Sequence, residues 1–404
     1  MSMLYEKLIL TLCASIPLIL LPVSSPFSQI KSDPIKSTSI DISAFYDSAH
    51  HWYDITDHEG IISPEPGQKK YKKTAVRKIA ENILLYQKNN GGWPKNYDML
   101  AVLTPIQKEI ILKSKDDFSV TTFDNDATHS HVEFLANAYA VTKDKKFKEA
   151  CLKGINFILN AQYPNGGWPQ FYPDSTGYRK YITFNDNVVT GIMNVLHRVI
   201  QNDPIYSFVD PSLKERVRSA FDKGIQCILK CQIVENGKMS VWCQQHDNMD
   251  FHPRDARKFE PAAICNGESS DIIFLLMNID NPDKYVINSI QNAVKWFDES
   301  KILGIRVKVI DAPFVKYYYH ATDKDKIVVK DPTAPPIWTR YYELGSHRPL
   351  FCNRDSKPVY SLAEVDRERR TGYRWYVYDP QKVLNKYPEW QKKYAPGQNV
   401  LKPL

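Results

Sequence analysis

The sequence predicts a mainly α protein, an α/α toroid of about three helix-pair repeats with short irregular strands and long loops. Three observations predict it. A Gly-Trp motif recurs: "NNGGWPKNY" at residues 89–97 returns as "PNGGWPQFY" at 164–172, with a weaker copy, "ENGKMSVWCQQHD", at 235–247. Trp93 and Trp168 stand 75 residues apart, and Trp242 follows 74 later. Each copy follows a stretch with apolar residues at three and four spacing, at 75–87, 148–162 and 217–232, the mark of an amphipathic helix. A second element alternates with the first. It is an Asp/Asn-rich turn running into an apolar helix, at 121–141, 182–200 and more faintly 262–279. Helix pairs at a fixed period make a solenoid or a closed ring. Closure is favoured because a ring gathers loops of one kind at one end, around a common cleft.

Composition bounds the rest. The chain has 404 residues, 43% hydrophobic and 25% charged, which excludes disordered, collagen-like and coiled-coil descriptions. A net charge of +7 fits a nucleic acid, a membrane surface or an acidic polymer without choosing among them. The 24 Tyr and 8 Trp exceed what a core alone needs and leave sugar or base stacking open.

The elements follow in chain order. Residues 1–28 read as a secretory signal, with Lys7 before an apolar run from Leu8 to Leu21 and small residues at Ser24, Ser25 and Ser28. The run of about 14 residues, interrupted by Pro17, is shorter than the ~20 a spanning helix needs. Cleavage is expected near Ser28, which makes the protein secreted or periplasmic. A leader segment occupies 29–70 and one large domain 71–404. Its helical part runs to about 300, and an irregular part rich in Arg and aromatics follows from 301. Short strands are expected near 306–324, and Pro332, Pro335, Pro336 and Pro349 disfavour long regular elements.

Cys13 leaves with the signal, and six cysteines remain. They could pair in an oxidising compartment, but a chain this long needs no disulfide scaffold. Cys227 and Cys231 read as one buried helix face. The absence of a CxxC pair argues against zinc.

Several groups could carry chemistry. Asp124 and Asp126, with Asp186 in the matching turn, could converge on one hard cation such as calcium or simply cap their helices. His129 and His131, two apart, do not share a helix face and fit capping or supporting hydrogen bonds. Arg254, Arg257 and Lys258 lie in a polar loop that is either solvated or functional. Arg340, Arg348 and Arg354 stand among Trp338, Tyr341, Tyr342 and Phe351; they could bind an anionic sugar or pin the tail. No Walker A, GxSxG, HExxH or dinucleotide motif is present, so phosphoryl and hydride transfer are unsupported.

Six ordered motifs carry a resemblance: "NGGWPKNYDM", "TTFDNDATHSHVEFLA", "YPNGGWPQFYP", "YRKYITFNDN", "VWCQQHD…ARKFEPAAICNGES" and "WTRYYEL…RPLFCNRD". Spread over about residues 75–380, they resemble the pectate lyases of polysaccharide lyase family ten. The resemblance implies a helical toroid that cleaves polygalacturonate by calcium-assisted β-elimination, giving unsaturated oligogalacturonates. It implies Asp124 as an active-site acid near calcium, with Asp126 and Asp186 as further ligands. It implies Arg257 as the base, and Arg340, Arg354 and Lys180 as ligands of substrate carboxylates. Trp168 and Trp242, in the Gly-Trp loops, are expected to line the sugar groove. Arginine has a pKa above about 12 and is a poor base, so Arg254, Lys258 and calcium are expected to lie close and depress Arg257. Nucleic acid is not expected as a partner, nor a membrane once the signal is removed, and a monomer is the default. Two rivals stay open: an inverting glycoside hydrolase using Asp124 and Asp186, and a non-catalytic binder of acidic glycans.

Overall fold

In this computed structural model, residues 40–54 and 60–401 are described. The signal expected at 1–28, with Cys13, lies outside them. The helices are α1 (Tyr46–Asp54), α2 (Val76–Tyr86), α3 (Pro105–Lys113), α4 (His129–Thr142), α5 (Lys145–Ala161), α6 (Val188–Ile200), α7 (Pro211–Cys231), α8 (Asn266–Met277), α9 (Lys284–Ser300), α10 (Arg367–Gly372) and α11 (Asp379–Tyr394). They stack in two layers. In one, α4, α6, α8 and α11 follow side by side; in the other, α2, α5, α7 and α9 do the same. Among the described residues, no helix is long and apolar enough to cross a membrane.

The strands are β1 (Ile182–Thr183), β2 (Val234–Glu235), β3 (Lys238–Met239), β4 (Gln245–His246), β5 (Pro253–Arg254), β6 (Ile264–Cys265), β7 (Ile305–Lys316), β8 (Ala321–Lys330), β9 (Trp338–Thr339), β10 (Tyr341–Tyr342), β11 (Pro349–Cys352), β12 (Pro358–Val359) and β13 (Tyr376–Val377). They pair as β1-β4-β5, β12-β11-β10-β6, β13-β9, β2-β3 and the long hairpin β7-β8.

This corrects the expected mainly α toroid. The chain is about 46% helix and 15% strand, and no extensive packing among the described residues returns from α11 to α2. The helix pairs are real, but their period encodes stacking of each pair on the next, not closure. The row ends on α11, which packs against α8 and α9. That helix was not expected. Its Pro380 sits in the first turn, where no N–H is needed, and Pro388 lies inside it.

The repeat has a physical basis. Trp93, Trp168 and Trp242 are fully buried, and each indole Nε1 donates to a helix carbonyl: Ile83 at 2.7 Å, Ile158 at 2.9 Å and Ile228 at 2.7 Å. A glutamine ends each preceding helix and ties it to the next one outward. Gln87, Gln162 and Gln232 donate to the carbonyls of Ala150, Ala220 and Ser289 at 2.9, 2.8 and 3.1 Å. The glycines of the motif let two chains touch. Gly91 and Gly166 hold φ of 98° and 95°, and a Cβ on Gly91 would lie 2.6 Å from the Lys153 carbonyl oxygen. Cys151, Cys227, Cys231, Cys243, Cys265 and Cys352 are free and buried, with Cys227 and Cys231 on the inner face of α7 as expected.

Candidate active site

The two acidic turns repeat a backbone conformation. Asn125 and Asp126 have φ of 50° and 58°; Asp186 and Asn187 have 48° and 60°. Left-handed residues are common for Asn and Asp because their short side chains bond locally. The consequence is a sharp bend that presents the side chains ahead of α4 and α6. The turns touch: Asn187 Nδ2 donates to Asp126 Oδ1 at 3.1 Å.

Asp124 is buried, 4% exposed. Lys95 Nζ donates to its Oδ2 at 2.6 Å and Gln170 Nε2 to its Oδ1 at 2.8 Å. Burial alone would raise its carboxyl, but Lys95, Gln170 and the more distant Arg257 outweigh burial and hold it low, at about 2. Asp126 is pushed up to about 7, by burial first and then by the charges of Asp47 and Asp124. Asp186 is raised well above its ordinary value for the same reasons, against Arg257 and Arg340.

Arg340 is 14% exposed. Its Nη2 donates to Glu268 Oε1 and, at 3.1 Å, to Asn185 Oδ1, while its Nε is buried without a partner. The guanidinium lies 4.6 Å from the Tyr373 ring. Tyr373 Oη in turn donates to Glu260 Oε1 at 3.0 Å. Glu260 grips Arg257 with two bonds, 2.7 Å to Nε and 2.5 Å to Nη2. Burial works against the Arg257 charge, but Glu260 outweighs it and holds the pKa well above the ordinary value. The Arg257 and Arg354 guanidiniums both lie 5.0 Å from the Phe259 ring. Arg354 is held by Glu368 through two 3.0 Å bonds.

Asp124, Asp126, Asp186, Arg257 and Arg340 are thus brought together, with Arg354 beyond Phe259. Lys180 is not part of this network; it is exposed, with Nζ 5.7 Å from the Tyr181 ring. Arg254, expected to depress Arg257, instead donates to Asp247 at 2.9 Å. Arg348 lies 3.7 Å from the Tyr360 ring, away from the acids. Trp168 and Trp242 need correction. Both are 0% exposed, so neither offers a surface to a sugar. Of the two histidines, His131 makes the expected capping and supporting bonds, whereas His129 Nε2 is buried without a hydrogen-bond partner. His131 Nδ1 accepts from the Thr128 N–H at 3.0 Å and its Nε2 meets Tyr97 Oη at 2.7 Å. His129 Nε2 lies 3.7 Å from Asp126 Oδ1.

Lys95, Gln170, Gln244, Glu260, Glu268 and Tyr373 were missed. A signal existed for three of them: Lys95, Gln170 and Gln244 each stand two residues after a repeat tryptophan. Gln244 Nε2 bonds Asn185 Oδ1 at 2.7 Å, as Gln170 bonds Asp124.

Calcium takes carboxylate and carbonyl oxygens with loose geometry. The donor set here fits in kind: three carboxylates in adjoining turns, Asp126 and Asp186 with pKa raised first by burial and then by the nearby charges of Asp124 and Asp47. Among the described residues, no three His, Cys, Asp or Glu are gathered closely enough to hold an ion.

Residues 87–384 match the model of the pectic acid lyase family. The chain belongs to that family. Family membership decides for a lyase over the hydrolase and the non-catalytic binder. Among solved structures, the chain is similar to family 10 polysaccharide lyase from Cellvibrio cellulosa, at 28% identity and TM-score 0.66, over 77% of this chain and 91% of the other. An aspartate-to-alanine mutant of that lyase, solved in complex with trigalacturonic acid, matches at 28% identity and TM-score 0.66, over 78% and 92%. The comparison with curated proteins found no match.

Proposed function

We propose that this pectate lyase is exported and cleaves α-1,4-polygalacturonate by β-elimination with calcium, acting as a monomer and using Arg257 as base. The observation that carries the reading is the meeting of Arg257 and Arg340 with Asp124 and Asp186 where two repeat turns adjoin. In the reaction, a base takes the proton on carbon five, beside the uronate carboxylate. The C–H electron pair becomes the double bond between carbons four and five. The bond from carbon four to the glycosidic oxygen breaks, and that oxygen leaves and is protonated.

Arg340, buried and fixed by Glu268, is placed to meet the uronate carboxylate as negative charge develops on it. Arg354 serves the neighbouring sugar, and Lys180 a sugar further along. Asp124, Asp126 and Asp186, not gathered closely enough to hold an ion by themselves, would supply oxygens to a cation whose shell the uronate completes, and which when bound supplies a positive charge that neutralises the carboxylate and acidifies the carbon-five proton. Asp124, kept ionised by Lys95, is ready for that role at any pH above its own low pKa.

Arg257 removes the proton in its neutral form, so its pair with Glu260 must open first. The Glu260 charge raises the Arg257 pKa, and the activity therefore rises toward alkaline pH. Glu260→Gln removes that charge and lowers the Arg257 pKa. The rise of kcat/KM moves to lower pH, by about one unit. A pH–rate profile checks this, and an unmoved profile sinks the pairing of Arg257 with Glu260 as the control of basicity.

The function is tested by following ultraviolet absorbance of unsaturated ends during digestion of polygalacturonate. Absorbance grows with calcium present and stops on adding a chelator. Growth that continues unchanged under chelation removes calcium from the account.

A further inference from the structure

A cavity of about 670 Å³ lies between the β7-β8 hairpin and α10. Its size falls within the ~300–1,000 Å³ range of small-molecule sites. Tyr319, His320, Lys326, Arg369, Tyr373 and Arg374 are in its wall, and no Asp or Glu lines it. It is an aromatic cavity with a cationic rim in a chain whose substrate is a polyanion. Its arginines are each paired with an acid outside the wall, Arg369 with Glu368, Arg370 with Asp325 and Arg374 with Asp379, so a bound carboxylate would share Arg374 with Asp379. It adjoins the candidate site through two shared residues. Tyr373 is both a wall of the cavity and the ring over which Arg340 lies. Tyr319, at the hairpin tip, lies 4.4 Å from the Arg354 guanidinium.

The hairpin is tied to α10 through the middle of β8 and, at its tip, through His320. Arg370 on α10 grips Asp325 through bonds of 2.7 and 2.8 Å. Lys326 Nζ donates to the carbonyls of Thr371 and Tyr373 at 3.2 and 3.3 Å. His320 Nε2 meets Thr371 Oγ1 at 3.1 Å. Tyr318 and Tyr319 pack edge to face at 4.7 Å and remain 63% and 39% exposed. Rings fixed in this way present apolar faces at little ordering cost.

We propose that this cavity is a further uronate subsite, away from the reacting bond, in which Tyr319 stacks on a galacturonate ring and Arg374 meets its carboxylate. The occupant is a distant stretch of the same polygalacturonate chain. The proposal rests on the lyase reading above and supplies the aromatic surface that the buried Trp168 and Trp242 cannot.

Steady-state kinetics on polygalacturonate and on trigalacturonate test it, with Tyr319→Ala, Tyr319→Phe and Arg374→Ala. Arg374 is 60% exposed, so its variant keeps the test open if Tyr319→Ala fails to fold. Tyr319→Ala and Arg374→Ala are expected to raise KM for the polymer about three- to tenfold, with kcat and the trimer kinetics unchanged. Tyr319→Phe restores the wild-type value. An unchanged polymer KM in Arg374→Ala and Tyr319→Ala overturns the subsite, as does an equal loss on the trimer. Calorimetric titration of a long oligogalacturonate separates this from failure of the lyase reading. If the wild-type chain releases no unsaturated product yet binds the oligomer, and Arg374→Ala weakens that binding, the subsite stands and the reaction falls.

Discussion

Arg257→Lys lowers kcat on polygalacturonate by about 10²–10⁴-fold, the range for losing a general base, while KM and the melting temperature stay near wild type. The lysine variant is the informative one. Arg257 is the charged partner of Glu260, which is only 3% exposed. An alanine there would leave the buried carboxylate with only Tyr373 Oη and the backbone N–H of residue 257 as donors. A carboxylate that loses its charged partner destabilises the fold, less for this half-exposed pair than for a fully buried one. Loss of activity in Arg257→Ala would then mix chemistry with folding. Lysine keeps a cation for Glu260 but loses the planar two-bond grip and moves the basic nitrogen. Measuring kcat together with the melting temperature separates the two. Near-normal turnover in Arg257→Lys would remove this residue from the chemistry.

Trp168→Ala has the largest expected effect on stability. A fully buried indole is lost, and with it a 2.9 Å hydrogen bond to the Ile158 carbonyl. Truncations of this kind cost about 3–5 kcal/mol, and the melting temperature falls by roughly 10 °C for a domain of this size. The molecules that remain folded keep their KM. Thermal unfolding and kinetics on one preparation check it. A raised KM with unchanged stability would return the ring to the sugar groove.

That tryptophan marks where sequence reasoning went astray. The Gly-Trp repeat was plain in the sequence, and so was the pairing of helices it punctuates. A Trp after two glycines, in a loop, reads equally well as a sugar platform or as a plug between helices. Only burial separates them, and burial is a property of the assembled row. The acids were legible because Asp124 and Asp186 recur in matching turns. Glu260 and Glu268 were not. They act as partners of Arg257 and Arg340, contacts fixed by tertiary folding and by the pairing of β6 with β10, 76 residues apart at Cys265 and Tyr341 in register. Strand content was underestimated for the same reason, since most strands are two residues long and exist only through long-range pairing. The helix α11 was hidden by Pro388, which a helix interior normally rejects.

The central claim is that the glycosidic bond is broken by elimination, and mass spectrometry of the polygalacturonate digest tests it most directly. The account predicts that each new non-reducing end is lighter by one water than a hydrolytic end, because a carbon–carbon double bond has formed there. Oligogalacturonates carrying the full water at every new end would contradict it.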